Sequence, residues 1–294
     1  MSVQSFIPAV WSATILKQFD RVHVAAKGTN RDYEGDIKGM GSSLRINSMG
    51  DIAVTAYTRD TDITAAETVD MADQVFNIDQ GDVIHFSVGD LDKLNARGEF
   101  QARASQRASY ALSNKTDYFL FTTMAAGVSS ANTLTAQTIG LGAGEKSLLE
   151  QLAIMQVNLD EQDVPEDGRV AFLPPWSEAM LRLDERYTGF NTGEAQGPLK
   201  GTPIGRAMGF TIYKSNNLPR ASGSPIANTG SGAYTIIGCH PDATTFAEQM
   251  DKMEAYRPPL RFDDAIKGLH VYGAKVTRPH AITTLAATKG TMVV

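Results

Sequence analysis

The chain has 294 residues and a formal net charge of −6. That length allows one large domain or two modest ones, its ordinary apolar and charged content excludes a disordered chain, and its acidic balance argues against a dedicated nucleic-acid binder, which needs a basic face for phosphates. The single cysteine, Cys239, excludes a disulfide within the chain and suits a reducing compartment.

Residues 1–30 hold one apolar cluster, FIPAVWSATIL, followed by a polar run. No short apolar segment there ends at a small-residue cleavage site. The most apolar stretch of the chain, YFLFTTMAAGV from Tyr118, is far shorter than the ~20 residues that span a bilayer. The expectation is a product that is soluble and intracellular when made. Termini fray, so Trp11 is expected to dock on its own subunit or on a neighbour.

Residues 31–88 read as β-structure. LRI, IAVTAY and VIHFSV cluster β-favouring side chains, with a turn at Asp79-Gln80-Gly81-Asp82. Between them lies a polar stretch rich in acid, including Asp60, Asp62, Glu67, Asp70 and Asp73. The region has too few large apolar groups for a core of its own. It reads as a two-stranded excursion that needs an external surface to lie on.

Residues 99–126 contain no glycine or proline and predict a helix of about seven turns, roughly 40 Å long. Phe100, Ala104, Ala108, Ala111 and Tyr118 fall on one stripe, which is the expected buried face.

The stretch GLGAGEKSLLEQL from Gly140 looks at first like a phosphate-binding loop. Such a loop needs glycine immediately before its lysine, so that backbone N–H groups curl around the phosphates; here Glu145 stands before Lys146. Ser147 and Glu150 instead fit a capping box opening a helix, with Leu148, Leu152, Met155 and Leu159 on one apolar face. Further on, RVAFLPP predicts a short buried strand. Glycines at 189, 193, 197, 201, 205 and 209, mixed with prolines, predict a surface loop. FTIYKSNNLP, AYTIIGC and the stretch from Phe262 predict strands.

Chemistry is hard to find. The histidines, at 23, 85, 240, 270 and 280, show no metal-ligand spacing. GVSSA at Gly127 falls one residue short of a nucleophile elbow. Cys239 and His240 are neighbours in a strand and point to opposite faces, so they cannot form a catalytic pair. Cys239 reads as a small core residue. No catalytic residue, metal or cofactor is expected. An enzyme reading reduces to a phosphate-loop hydrolase using Lys146.

Seven segments, in order, carry a resemblance: FIPAVWS, NRDYEGDI, INSMGDIAV, TDI followed by FNIDQ, GRVAFLPPW, IGRAMGFTIYKSNNLP and GLHVYGAKVTRP. Together they resemble the major coat proteins of tailed bacteriophages with the Hong Kong 97 fold, which is shared by encapsulin shells and the floor of herpesvirus capsids. The resemblance implies an α+β fold with an N-terminal arm (1–30), an extended β-hairpin loop (31–88), a peripheral domain with a long spine helix (89–144 and 245–280) and an axial domain (145–244 and 281–294). It implies a major capsid protein that self-assembles into hexameric and pentameric capsomers of an icosahedral shell around the phage DNA. Its place is the virion, after assembly in the host cytoplasm. The alternative is an encapsulin-like compartment. Trp11, Arg45, Arg59, Asp60 and Asp62 are the expected subunit-interface residues. No charged helical segment precedes Phe6, so a separate scaffolding protein is expected, together with a portal. Packaged DNA is contacted non-specifically at most, because an acidic wall repels it. No membrane partner is expected.

Overall fold

The glycine-free run folds as one helix, α1 (Phe100–Ala126), 27 residues and about 40 Å long. The computed structural model that shows it describes residues 24–34, 40–49, 56, 59, 71–89, 100–184, 205–220, 232–259 and 263–292. The buried face of α1 is not the alanine stripe. Ala111 is exposed, and Ala104, Ala108 and Tyr118 are half-buried. The buried side carries Ser109, Leu112, Ser113, Thr116 and Asp117, then Leu120, Phe121 and Met124. Part of this face is polar because Asp117 meets the backbone N–H groups of Val24 and Ala25. Thr116 satisfies its own hydroxyl on the Leu112 carbonyl (3.1 Å).

The described residues form three sheets. The first is an antiparallel ribbon of β1 (Ser43–Met49) and β2 (Met71–Asn77), with Ser43 opposite Asn77. In the second, β10 (Asp263–Val276) lies between β3 (Gln80–Gly89) and β9 (Thr244–Tyr256), all antiparallel. The sequence reading places no strand at β9, because QMDKMEAY lacks β-favouring side chains. It places the turn at Asp79–Asp82, whereas β2 ends at Asn77 and β3 already starts at Gln80.

The third sheet has six strands in the order β4 (Thr133–Ile139), β11 (Ile282–Lys289), β8 (Tyr234–Cys239), β5 (Val170–Leu173), β7 (Phe210–Lys214) and β6 (Gly205–Ala207). The RVAFLPP strand is β5, buried along its whole length. Two helices accompany the sheet, α2 (Leu148–Asp160) and α3 (Ser177–Leu183). Leu148, Leu152, Met155 and Leu159 of α2 are buried, as their spacing predicts. The end of the glycine-rich stretch departs from the loop reading: Gly205 and Gly209 belong to a hairpin of β6 and β7. Its two-residue turn, Met208-Gly209, has φ of 47° and 75°, the left-handed pair that suits the twist of a tight hairpin.

The main core lies between α1, α2 and the six-stranded sheet, with Phe121, Phe172, Phe210 and Ile237 fully buried. A buried guanidinium closes one corner. Arg169 donates to the Pro165 carbonyl (2.8 Å) and the Val164 carbonyl and pairs with Asp160 at 2.6 Å, tying the end of α2 to the start of β5.

Candidate functional site

The glycine-rich stretch at 140–146 is built around a negative charge of its own. The Glu145 carboxylate accepts from the Gly142 N–H (3.0 Å), the Thr291 N–H (2.9 Å) and the Thr291 hydroxyl (3.0 Å). Gly140 and Gly290 let the backbone close on it: a methyl at either would stand 1.9 or 2.7 Å from carboxylate atoms. The loop therefore does gather N–H groups around an anion, but the anion is an internal carboxylate. Lys146 turns away and pairs with Glu150 at 3.6 Å, on the surface.

The capping box is corrected in part. Ser147 is the N-cap residue of α2, but its hydroxyl makes no cap hydrogen bond. It donates to the Asp184 carboxylate (2.6 Å), just past the end of α3, and Glu150 faces Lys146 instead of reaching back. A buried carboxylate is the stronger acceptor of the hydroxyl proton, and a hydroxyl turned toward it no longer meets the N–H groups of the first turn.

Hydrogen bonds from the Thr291 and Gly142 backbone hold the Glu145 carboxyl below its ordinary range. The charged form is thus favoured in the folded chain. Its contribution is complete above the carboxyl's unfolded value, about 4.3, and is lost as pH falls through the lower folded value. Glu145→Gln should melt below the wild type at pH 7, and the gap should close below about pH 4. Melting curves at a series of pH values check this; a gap that persists unchanged into acid would show that the charge does not hold the loop.

The remaining catalytic candidates are structural. Cys239 is fully buried, and burial pushes its thiol up to about 12. His240 turns to the Asp167 carbonyl (3.1 Å), away from Cys239. Ser129 of GVSSA starts a 3-10 turn over Ser130–Asn132, and its carbonyl accepts from the Thr133 hydroxyl (3.3 Å). His270, expected to be an ordinary surface or strand residue, is a buried strand residue, 3.3 Å from Glu248 and stacked on Tyr272. Among the described residues no three His, Cys, Asp or Glu side chains converge as for a metal.

The ribbon of β1 and β2 rests on the three-stranded sheet. Leu44 and Ile46 face inward, and with Phe76 and Ile78 they pack on Ala247 and Val271 in a small cluster separate from the main core. The excursion thus finds its external surface at its base within its own subunit. Gly273 makes this seat possible. A methyl there would stand 2.5 Å from the Asn77 carbonyl oxygen and 3.0 Å from the Ile78 Cα. Lys275 and Gln74 brace the join, at 2.7 Å to the Val75 carbonyl and 3.3 Å to the Thr277 carbonyl.

Arg45 lies on the outward face of β1, exposed and in register with Val75, itself 42% exposed. Arg59 is exposed in a turn. Trp11, Asp60 and Asp62 lie outside the described residues. Sequence reasoning missed a second exposed group on the three-stranded sheet. His85 stacks on Tyr256 and meets its hydroxyl at 2.7 Å, while Lys267 spans Tyr256 and Glu254. Only the cross-strand register assembles it.

A long helix laid on a three-stranded sheet, a six-stranded mixed sheet beside it and a ribbon seated on its own small cluster define an α+β protein of the Hong Kong 97 type. A chain from Mycobacterium phage Che8 is 26% identical, each covering 90% of the other, with a TM-score of 0.66. The capsid of cyanophage P-SCSP1u is 19% identical over 90% of this chain and 87% of that one, also at 0.66. The virus-like particle from Pyrococcus furiosus is 14% identical over 93% and 96%, at 0.54. No curated protein matches by sequence. The profile of the phage capsid protein family matches residues 78–285, and the chain belongs to that family. It is a structural protein, a major capsid protein of a tailed phage.

Proposed function

We propose that copies of this chain assemble into hexameric and pentameric capsomers and close into an icosahedral shell around the double-stranded DNA of a tailed phage. The observation that carries the reading is the family match over residues 78–285, taken with a ribbon that rests on only a small cluster of its own. Surface so placed gains most when a neighbour covers it, since the ordering of arms and loops is offset only by new contacts. In this reading residues 1–30 are the arm, 31–88 the extended loop, 89–144 with 245–280 the peripheral domain and 145–244 with 281–294 the axial domain. β3 is then the strand by which the loop rejoins the peripheral sheet. Trp11, Arg45, Arg59, Asp60 and Asp62 serve subunit contacts, and Trp11 anchors the arm on a neighbour.

The chain carries out no catalytic step. A scaffolding protein and a portal are the partners implied by the resemblance to tailed-phage coats. Assembly takes place in the host cytoplasm, and the net charge of −6 keeps packaged DNA from adhering to the wall. The encapsulin reading rests on fold alone. Genes for a terminase and a portal beside this one favour the phage; a ferritin-like or peroxidase gene favours the compartment. The direct test is co-expression with the neighbouring genes, followed by sedimentation and electron microscopy. Closed shells are expected. A compact monomer under those conditions sinks the proposal.

A further inference from the structure

Residues Val24–Arg31 run along a seam where three elements meet. At the upstream end the Asp117 carboxylate, on α1 and only 2% exposed, accepts from the N–H groups of Val24 (3.2 Å) and Ala25 (3.1 Å). These open the 3-10 turn Ala25–Gly28, whose first N–H groups have no partner within the turn. In the middle, Gly28 lies flat on the six-stranded sheet. A methyl there would stand 2.7 Å from the Phe172 ring and 3.2 Å from the Cys239 Sγ, and the Cys239 thiol donates to the Gly28 carbonyl at 3.6 Å. Lys27 sits 4.7 Å from the centroid of the Tyr213 ring. At the downstream end the Asn30 N–H donates to the Thr244 carbonyl (2.9 Å), the Phe246 N–H donates to the Asn30 carbonyl (2.9 Å), and Arg31 pairs with Glu248 at 2.9 Å.

We infer that Val24–Arg31 is a strap that lifts from the body as one unit, and that Asp117 is the clasp holding its upstream end. Backbone bonds to the body are concentrated at the two ends, and the middle lies flat through a glycine. Lifting it breaks those bonds and leaves every strand pairing of the six-stranded sheet in place. Local openings of this kind cost less than global unfolding. Asp117 is then a positioning residue. It fixes Val24 and Ala25 against α1, and that this placement matters for shell formation rests on the shell reading above.

Cys239 is the natural reporter, being the only cysteine and covered by Gly28. The test is labelling of Cys239 by a disulfide reagent, dithiobis-nitrobenzoate, in folded wild type, Asp117→Ala, Asp117→Asn and Leu159→Ala, at urea concentrations below the unfolding transition. Leu159 lies in the core on α2 and supplies none of the hydrogen bonds that hold the strap. Wild type should label slowly with a shallow urea dependence, since little surface is exposed. Asp117→Ala should label roughly ten- to hundredfold faster with the same slope. Asp117→Asn, which keeps an acceptor, should fall between, and it decides the matter if the alanine variant does not fold. Leu159→Ala should leave the low-urea rate unchanged despite its lower melting temperature. Labelling that is steep in urea and follows global stability in every variant overturns the strap. Normal shell yield from Asp117→Ala, with fast labelling, overturns the positioning role while the shell reading stands. Absence of shells from wild type itself overturns the shell reading and leaves the strap to be judged by labelling alone.

Discussion

Gly273→Val should abolish shell formation while the six-stranded sheet stays folded. The side chain would have to enter the space where the Asn77 carbonyl and Ile78 Cα now sit, at 2.5 and 3.0 Å from the first added carbon. Both are backbone atoms at the base of the β1–β2 ribbon, so no side-chain rotation relieves the clash. Overpacking of this kind costs about 1–3 kcal/mol, and here it is concentrated on a cluster of only four buried residues, Phe76, Ile78, Ala247 and Val271. The ribbon should leave its seat before the main core is touched. Calorimetry should still show the main unfolding transition, and sedimentation of the co-expressed protein should show no closed shells. Shells of normal yield from Gly273→Val would mean that the seat of the ribbon does not matter for assembly.

The largest loss of stability is expected from Phe172→Ala. Phe172 is fully buried in β5, meets the Phe121 ring edge-on at 4.9 Å, lies 6.2 Å from the Tyr213 ring and supports Gly28. Truncation opens a cavity bounded by α1, the sheet and the strap, which cannot collapse together. The expected cost is about 3–5 kcal/mol, a fall in melting temperature on the order of 10 °C. Ile154→Ala, at a 38% exposed position on α2, should change stability by no more than about 0.5 kcal/mol. Similar melting temperatures for the two variants would show that the core is not centred where the aromatic contacts place it.

Helix α1 was legible in the sequence because its signal is an absence of breakers over 27 residues, and no tertiary partner can hide that. Its buried face was not. An apolar stripe is the right guess when a helix packs on apolar side chains, but this face also buries Asp117, which meets the N–H groups of Val24 and Ala25, and the small Ser109 and Ser113. β9 was missed because an outer hairpin strand such as QMDKMEAY alternates around charge; register with β10, not composition, makes it a strand. The refusal of a phosphate loop at Gly140 rested first on Glu145, with the helix-start pattern of Ser147 and Glu150 beside it. What Glu145 does was out of reach, since its partner Thr291 is 146 positions away. Ser147 was correctly placed at the helix start, yet Asp184, 37 residues on, takes its hydroxyl. The coat-protein resemblance was legible through ordered short segments, whereas Arg45 and Arg59 show only that they are exposed.

The order of strands in the six-stranded sheet also sets an order in time. β11 lies between β4 and β8, so Leu285 pairs with Leu134, which was made 151 residues earlier (285 − 134), and with Ile236. Until β11 emerges from the ribosome, β4 has no strand to pair with and β8 has only one neighbour. The chain must therefore hold an incomplete sheet through most of its synthesis, and closing it demands contacts of long sequence separation, which form slowly. A nascent subunit has no finished sheet to offer a neighbour, which separates the folding of each copy from the joining of copies.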